Sequence, residues 1–184
     1  MVRLMLWIFG AILLGGIVHL STVLAMPETA TQDADSRLAR LAPANVLTPL
    51  AAPTAADAIM PFMDPAFAVA VCRYDLSTGT LKFVAPVSQA YTSVTFYNRN
   101  SVAYYAINDR AAGRRTIELD LMTPEQHAQM PEEEGVTAAD RLIIDSPTAT
   151  GLIVLRALAP EPGLMAAAQA TLAGAQCRAM PQQQ

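Results

Sequence analysis

The strongest constraint on the fold of this chain is a long apolar segment near its N-terminus. Residues 4–26, LMLWIFGAILLGGIVHLSTVLAM, carry no formal charge except the one that His19 acquires when protonated. A helix of this length measures about 34 Å, whereas the hydrocarbon core of a bilayer is about 30 Å thick. Residues 1–26 are therefore predicted to form a single transmembrane anchor.

The charges on either side of this segment predict its orientation. Arg3 precedes it, and the acidic stretch PETATQDAD follows it. Because basic residues stay on the cytoplasmic side, the N-terminus is expected in the cytoplasm and the rest of the chain outside the inner membrane. A cleaved signal peptide is the alternative, since Val23-Leu24-Ala25 resembles a cleavage site, although the apolar core of such peptides usually has only about 7–15 residues. Both interpretations export residues 27–184.

One face of the predicted anchor carries small residues. Ala11, Gly15 and His19 recur at four-residue spacing and therefore share a face of the helix. Small side chains let a second helix approach closely, and an ionisable residue inside a membrane usually faces protein. Two interpretations stay open, a lone anchor and a contact face for a membrane-protein partner.

The composition favours an envelope protein and argues against nucleic-acid binding. Only 15% of the residues are charged and 53% are apolar, which is typical of membrane and envelope proteins. The net charge is −4, Lys82 is the single lysine, and no basic cluster is present. Nucleic-acid binding requires a basic surface, so no nucleic-acid partner is predicted.

Beyond the anchor, the sequence divides into a connector and a β-rich domain. The connector, residues 27–63, contains a short helical stretch, DADSRLARLAP. The proline-rich residues 44–65 have no clear period and are predicted to form an extended strap on the surface of the domain. From Phe67 onward, apolar residues alternate with a period of two, so an exported domain is predicted over residues 64–180.

The alternating segments predict a meander of antiparallel strands. Three hairpins are expected: FAVAVCRYDL with TLKFVAP around Gly79, SVTFYN with SVAYYAIN around NRN, and RLIID with GLIVLRAL. Thr123 at an N-cap position before Pro124 predicts a short helix. The fold class is predicted to be mainly β, a β-sandwich or a curved antiparallel sheet, with a C-terminal α-helix in GLMAAAQATLAGAQCR.

The two cysteines are predicted to form a disulfide. Cys72 lies on the alanine-rich face of its strand, and Val69 and Val71 are expected to face the main core. Cys177 is expected in the C-terminal helix, on an alanine-rich face that includes Ala170. Small side chains allow the Cα separation of about 5.5–6 Å that a disulfide needs. An exported domain also meets the oxidising conditions in which disulfides persist.

Side chains suited to catalysis or metal binding are sparse. No G-x-S-x-G, P-loop, dinucleotide-binding or HExxH motif occurs. PEEEG, residues 131–135, lacks the alternating ligand spacing of a calcium loop. No catalytic residue, cofactor or metal site is therefore predicted. An exported hydrolase or small-ligand enzyme, with His127 and Asp109 as its acid–base pair, is kept as the alternative to a non-enzymatic module.

The most polar residues lie in YNRN and INDR, at opposite ends of one predicted strand. Asn and Asp favour tight turns, so turn formation is the simpler interpretation. The alternative is an arginine-bearing rim that recognises a carboxylate or a partner protein. The residues of this predicted rim, including two from the first long strand, are Arg73, Asp75, Asn98, Arg99, Asn100, Asp109 and Arg110.

The run FMDPAFAVAVCRYDLSTGTLKFVAP…SVTFYNRNSVAYYAINDR resembles the bacterial domain-of-unknown-function 1254 family in its short membrane-anchored form. The motifs that carry the resemblance are Asp64-Pro65, Cys72-Arg73-Tyr74-Asp75-Leu76 and Asp109-Arg110. The resemblance implies a mostly β fold and an envelope partner of the domain-of-unknown-function 1214 type, and it implies no enzymatic activity. The sequence therefore predicts a membrane-anchored cell-envelope protein that acts as a non-enzymatic binding or assembly module beside a membrane partner.

Overall fold

The structure, a computed structural model, describes residues 1–29, 33–54, 56–112, 115–130 and 142–181. The chain divides into two compact units, Met1–Asp33 and Ala34–Gln184. The helices are α1 (Val2–Thr29), α2 (Ala34–Ala39), α3 (Asp109–Ala112), α4 (Pro124–Ala128) and α5 (Met165–Ala173). The strands are β1 (Leu47–Pro49), β2 (Phe67–Asp75), β3 (Gly79–Pro86), β4 (Thr92–Asn98), β5 (Ala103–Asn108), β6 (Thr116–Met122), β7 (Leu142–Asp145), β8 (Thr150–Leu158) and β9 (Gln176–Pro181).

The first unit contains the long apolar helix α1, as the sequence predicts. Within the described part of the chain, Val2–Met26 is the one helical stretch long and apolar enough to cross a membrane. Ala11, Gly15 and His19 lie on this helix, and their side chains are exposed. A membrane anchor and a signal sequence both meet this test of length and composition. The contact face stays a prediction.

The second unit is a two-layered β-sandwich, which confirms the predicted fold class. One sheet has the strand order β1-β2-β8-β4-β5, and the other has the order β7-β6-β3-β9. Among these described strands, neighbours pair antiparallel except β6 with β7, which pair parallel. The predicted helix after Thr123 is also present, and Thr123 caps it with Pro124 in its first turn.

Only one of the three predicted hairpins is confirmed. β4 and β5 pair with each other around NRN. β2 and β3 lie in different sheets, as do β7 and β8, so these two predictions are wrong. Instead, β2 pairs with β8 along its whole length, Phe67–Asp75. Sequence alternation reports which face of a strand is buried, but it does not report which strand pairs with it.

The main core lies between the two sheets. Its largest fully buried side chains include Tyr74, Phe83, Phe96, Leu119 and Ile153. Phe83 of one sheet and Phe96 of the other meet edge to face, with ring centroids 6.4 Å apart. Such aromatic pairs stabilise the contact by about 0.5–1.5 kcal/mol beyond the area that they bury.

The orientation of β2 is the reverse of the predicted one. Ala70 and Cys72 face the main core, whereas Val69 and Val71 lie on the outer face of the five-stranded sheet. The aromatic ring of Phe83 and its neighbours fill the core, so small side chains fit on this face of β2. Val71 is covered by α2, whose Leu38 is fully buried against it.

Cys72 and Cys177 form the predicted disulfide, with their Cα atoms 6.5 Å apart. Cys177 lies on a strand, however, and not in the C-terminal helix. α5 ends at Ala173, and the following residues form β9, where Cys177 pairs with Phe83. This segment forms backbone hydrogen bonds with the free edge of β3. Extending the short helix α5 by one turn would stabilise the chain less. The disulfide therefore joins β2 of one sheet to β9 of the other.

The C-terminal helix also presents a different face from the predicted one. Ala168 and Leu172 are its buried residues, and both belong to the main core. Ala170 is exposed. α5 contacts β2 and β8, so the helix does lie near the alanine-rich face of β2.

The strap and α2 belong to the second unit, which begins at Ala34. Leu47 of β1 lies opposite Cys72 in the sheet. Leu50 continues this contact, because its backbone N–H donates a 2.9 Å hydrogen bond to the Val69 carbonyl oxygen. The strap therefore leaves the edge of the five-stranded sheet beside the outer face of β2.

Candidate binding groove

A cavity of about 390 Å³ lies between the outer face of the five-stranded sheet and the strap. Its floor includes Val69, Val71, Leu152 and Val154, and strap residues such as Met60 border it. Small-molecule sites usually measure about 300–1,000 Å³ and are mostly apolar. We call this cavity the groove.

The pairing register explains why these side chains meet. Val71 of β2 lies opposite Val154 of β8, and Val69 lies opposite Arg156. Alternate residues of a strand share one face, so Leu152, Val154 and Arg156 project on the same side of β8. The outer face of the sheet thus presents an apolar floor with a basic residue next to it.

The strap contributes a residue in an unusual conformation to the groove. Phe62 has a φ of 60°, and it remains fully exposed to solvent while bordering the cavity. The left-handed region is rare for bulky residues, and such strain costs about 1–3 kcal/mol and clusters at functional sites. Met60 and Met63 beside it are half-buried, and flexible methionine side chains adapt to ligands of varied shape.

Two charged residues line the groove, Arg156 and Asp64. The Asp64 carboxylate accepts a 2.9 Å hydrogen bond from the Ala66 backbone N–H. Arg156 is exposed, and among the described residues no carboxylate forms an ion pair with it. The groove therefore combines an apolar floor with one available guanidinium group.

Two members of the predicted rim, Arg73 and Arg99, converge on Asp35 of α2. Arg73 Nε lies 3.2 Å from Asp35 Oδ1, and Arg99 Nη1 lies 3.5 Å from Asp35 Oδ2. Arg73 also donates a 3.4 Å hydrogen bond to the Ala42 carbonyl oxygen. These contacts hold α2 against the sheet. The sequence does not single out Asp35, because nothing local distinguishes it from Asp33 in DADSR.

Asn98 and Asn100, two further members of the predicted rim, lie in a tight turn. Asn98 Oδ1 accepts hydrogen bonds from the backbone N–H groups of Asn100, at 3.0 Å, and of Val102, at 2.9 Å. Ser101 within the turn has a φ of 61°. Asn98 and Asn100 therefore form a turn, in line with the simpler interpretation of their sequence.

None of the seven predicted rim residues lines the groove. The Ser77 hydroxyl and a 2.9 Å hydrogen bond from the Ser77 backbone N–H lower the pKa of Asp75 below its ordinary value. Asp109 and Arg110 open α3, after β5. Asp109 Oδ1 is buried and has no hydrogen-bond partner in the described part of the chain. Asp35 brings Arg73 and Arg99 together, and the recognition rim stays a prediction.

His127 contacts Asp145 rather than Asp109. Its Nδ1 lies 2.9 Å from Asp145 Oδ1, and both side chains are about half exposed. Neither His127 nor Asp109 lines the groove. The predicted acid–base pair is therefore not supported by the contacts of His127. PEEEG lies outside the described residues, and no cluster of three or more metal-binding side chains occurs within them.

A buried network of hydroxyl groups, which sequence patterns do not indicate, links β2, β4 and β5 to Ser146, the residue after β7. Tyr74 Oη lies 3.1 Å from the Tyr97 carbonyl oxygen and 2.9 Å from Ser146 Oγ. The Tyr104 hydroxyl donates a 3.3 Å hydrogen bond to Tyr74 Oη. Burial raises the pKa of Tyr104 well above its ordinary value, so this phenol stays neutral. The network satisfies polar groups that would otherwise be buried without partners.

Comparisons with known proteins agree with this architecture. No functionally curated protein matches the chain. The VPA0106 protein from Vibrio parahaemolyticus is similar with a TM-score of 0.57 and 11% identity, over 82% of this chain and 36% of that one. An uncharacterized protein from Burkholderia cenocepacia gives a TM-score of 0.46 and 13% identity, over 74% and 34% of the two chains. The chain thus spans about a third of each solved protein, and the first likeness shows the fold alone. A family model described as "Protein of unknown function (DUF1254)" matches residues 44–179, which is most of the chain, and the chain therefore belongs to the DUF1254 family.

Proposed function

We propose that this chain is an exported, membrane-anchored binding module of the cell envelope, and that the groove is its binding surface for an apolar chain. The observation that carries the proposal is the cavity of about 390 Å³ between the valine-rich floor and the strap. The strained and exposed Phe62 at its border supports a binding role, because strain of this kind concentrates at ligand-binding segments.

Export is supported by two independent features. The helix α1 is long and apolar enough to span a bilayer. The Cys72–Cys177 disulfide is of a kind that persists in oxidising compartments outside the cytoplasm. With Arg3 on the cytoplasmic side, the second unit lies outside the inner membrane.

The energetics predict only modest affinity for a ligand that is free in water, so a high local ligand concentration is needed. Burial contributes about 0.8 kcal/mol for each methylene group, or about 6 kcal/mol for eight of them. Association itself costs about 4–15 kcal/mol, so the net affinity for a free ligand is modest. Ala34 lines the groove, and only residues 30–33 separate it from α1 along the chain. Anchoring therefore keeps the groove within reach of a high local concentration of lipid.

The proposal includes a membrane partner. The face formed by Ala11, Gly15 and His19 is suited to close helix contact, because two of its three side chains are small. The family resemblance implies a partner of the domain-of-unknown-function 1214 type. We expect such a partner to receive or deliver the ligand that the groove holds.

Apolar photolabelling of the full chain tests the groove. The chain is reconstituted into phosphatidylcholine nanodiscs with a small neutral diazirine probe, and labelled peptides are mapped by mass spectrometry. We expect labelling in α1 and, separately, in the peptides of β8 and the strap. Val69→Phe should lower groove labelling several-fold, because the larger ring occupies the space above β2. Labelling of α1 provides the internal standard.

Val84→Phe is the matched control. Val84 is also half-buried, but it lies on β3 in the other sheet and outside the groove lining. This variant should label like the wild type. An absence of groove labelling in the wild type, with normal labelling of α1, would refute the binding role. Equal losses in the two variants would assign the effect to general destabilisation and would also count against it.

A further inference from the structure

We infer that the ligand of the groove is a single-chain amphiphile with a carboxylate headgroup, a free fatty acid, and that Arg156 binds the carboxylate. This inference rests on the proposed function, because it assigns the chemical class of the ligand that the groove takes. Three features of the groove lead to it: the position of Arg156, the state of the neighbouring charges and the volume.

On β8, Arg156 is the last residue that lines the groove. On β8 the floor residues Leu152 and Val154 precede it on the same face. A strand rises by about 3.3 Å per residue, so the Cα atoms of Leu152 and Arg156 are about 13 Å apart. An apolar track of this length that ends at a cation matches the layout of an acyl chain with an acidic end.

The charges around the groove leave Arg156 available. At the other end of the floor, Arg73 and Arg99 share the Asp35 carboxylate, and neither arginine lines the groove. Asp64 also lines the groove, but its carboxylate is hydrogen-bonded to the Ala66 backbone and makes no ion pair with Arg156. A guanidinium group binds a carboxylate through two parallel hydrogen bonds, whereas it offers nothing comparable to an alcohol or an ester.

The volume restricts the number of chains. About 390 Å³ is near the lower end of the range for small-molecule sites. One acyl chain is therefore the expected content, and a phospholipid with two chains would leave one of them outside the groove. A single available cation likewise matches a ligand with a single negative charge.

Paired photoprobes test the headgroup assignment. The full chain is placed in phosphatidylcholine nanodiscs that contain, at equal mole fraction, either a diazirine-bearing palmitate or the corresponding alcohol. The wild type should label the groove peptides about tenfold more with the acid, since charge-assisted hydrogen bonds are roughly twice as strong as neutral ones. Arg156→Gln should reduce acid labelling to the level of the alcohol and leave alcohol labelling unchanged. Arg156→Lys should restore part of the difference because it retains the positive charge.

Arg178→Gln is the matched control, since Arg178 is an exposed arginine on β9 of the other sheet. It should keep the wild-type preference for the acid. If both probes label the groove equally and Arg156→Gln changes nothing, the headgroup assignment is wrong and the groove itself remains supported. If neither probe labels the groove, the proposed function fails as well. Stronger labelling by a diazirine-bearing phosphatidylcholine than by the acid would replace the fatty acid with a phospholipid and overturn the inference.

Discussion

Reducing the Cys72–Cys177 disulfide is expected to lower the melting temperature of the second unit by about 4–20 °C. The bond closes a loop with a sequence separation of 105 residues. Chain-entropy models assign about 4.7 kcal/mol to a loop of roughly this length, and measured losses of native disulfides are about 2–5 kcal/mol. For a chain of this size, 1 kcal/mol corresponds to about 2–4 °C in melting temperature. The effect is large because the bond also joins the two sheets.

The melting temperature can be followed by the near-ultraviolet circular dichroism of tyrosine in nanodiscs. All five tyrosines lie in the second unit, whereas Trp7 lies in α1. A double variant, Cys72→Ala with Cys177→Ala, should melt near the reduced wild type and should not respond to reductant. Two thiols that react with maleimide in the native, unreduced chain would show that the bond does not form. If the reduced and oxidised chains have the same melting temperature, the disulfide does not stabilise the second unit.

Gly151→Ala is expected to destabilise the second unit by about 3 kcal/mol, at the upper end of the usual cost of overpacking. A Cβ atom at residue 151 would overlap the Tyr74 hydroxyl group and the Tyr97 carbonyl oxygen. Tyr74 is buried and hydrogen-bonded to Ser146, and the Tyr97 carbonyl belongs to the paired strand β4. Neither atom can move without breaking a hydrogen bond.

Gly163→Ala provides the control for this substitution. A Cβ atom at residue 163 meets no other atom within 4 Å, so this variant should melt within about 1 °C of the wild type. Both variants are compared by thermal unfolding and by the near-ultraviolet signal of the tyrosines. Equal melting temperatures for the two variants would mean that Tyr74 does not occupy its observed position in the buried hydroxyl network.

The sequence predicts the features of this fold that depend on local patterns. Alternating apolar residues identify the strands, and the charge-free run of residues 4–26 identifies α1. Capping by Thr123 is equally local, since its side chain accepts a hydrogen bond from the Gln126 backbone N–H only three residues away. The disulfide is predicted from two cysteines, their alanine-rich faces and predicted export; the bond is present although the predicted helix position of Cys177 is wrong.

The features that sequence patterns do not predict depend on contacts between distant segments. Cys177 belongs to a strand because β3 has a free edge, and no residue near Cys177 reports that edge. The reversed orientation of β2 has the same origin, since α2 and Phe83 decide which of its two faces meets the core.

The candidate site is of this non-local kind. Arg73 and Arg99 are visible in the sequence as polar residues, but their common partner Asp35 is separated from Arg73 by 38 positions. The groove combines a strap without periodicity with the outer face of β8, whose run GLIVL indicates only burial. Arg156 becomes a candidate once the register places it beside Val69 on that face.

The export of the second unit is the condition for both the disulfide and the proposed binding to membrane-derived ligands. Alkaline phosphatase fused after Gln184 tests it most directly, because this reporter becomes active only outside the cytoplasm. An active phosphatase is predicted. Green fluorescent protein fused at the same position should not fluoresce, because it is exported in an unfolded state. A fluorescent green fluorescent protein beside an inactive phosphatase would place residues 34–184 in the cytoplasm and contradict both the topology and the proposed function.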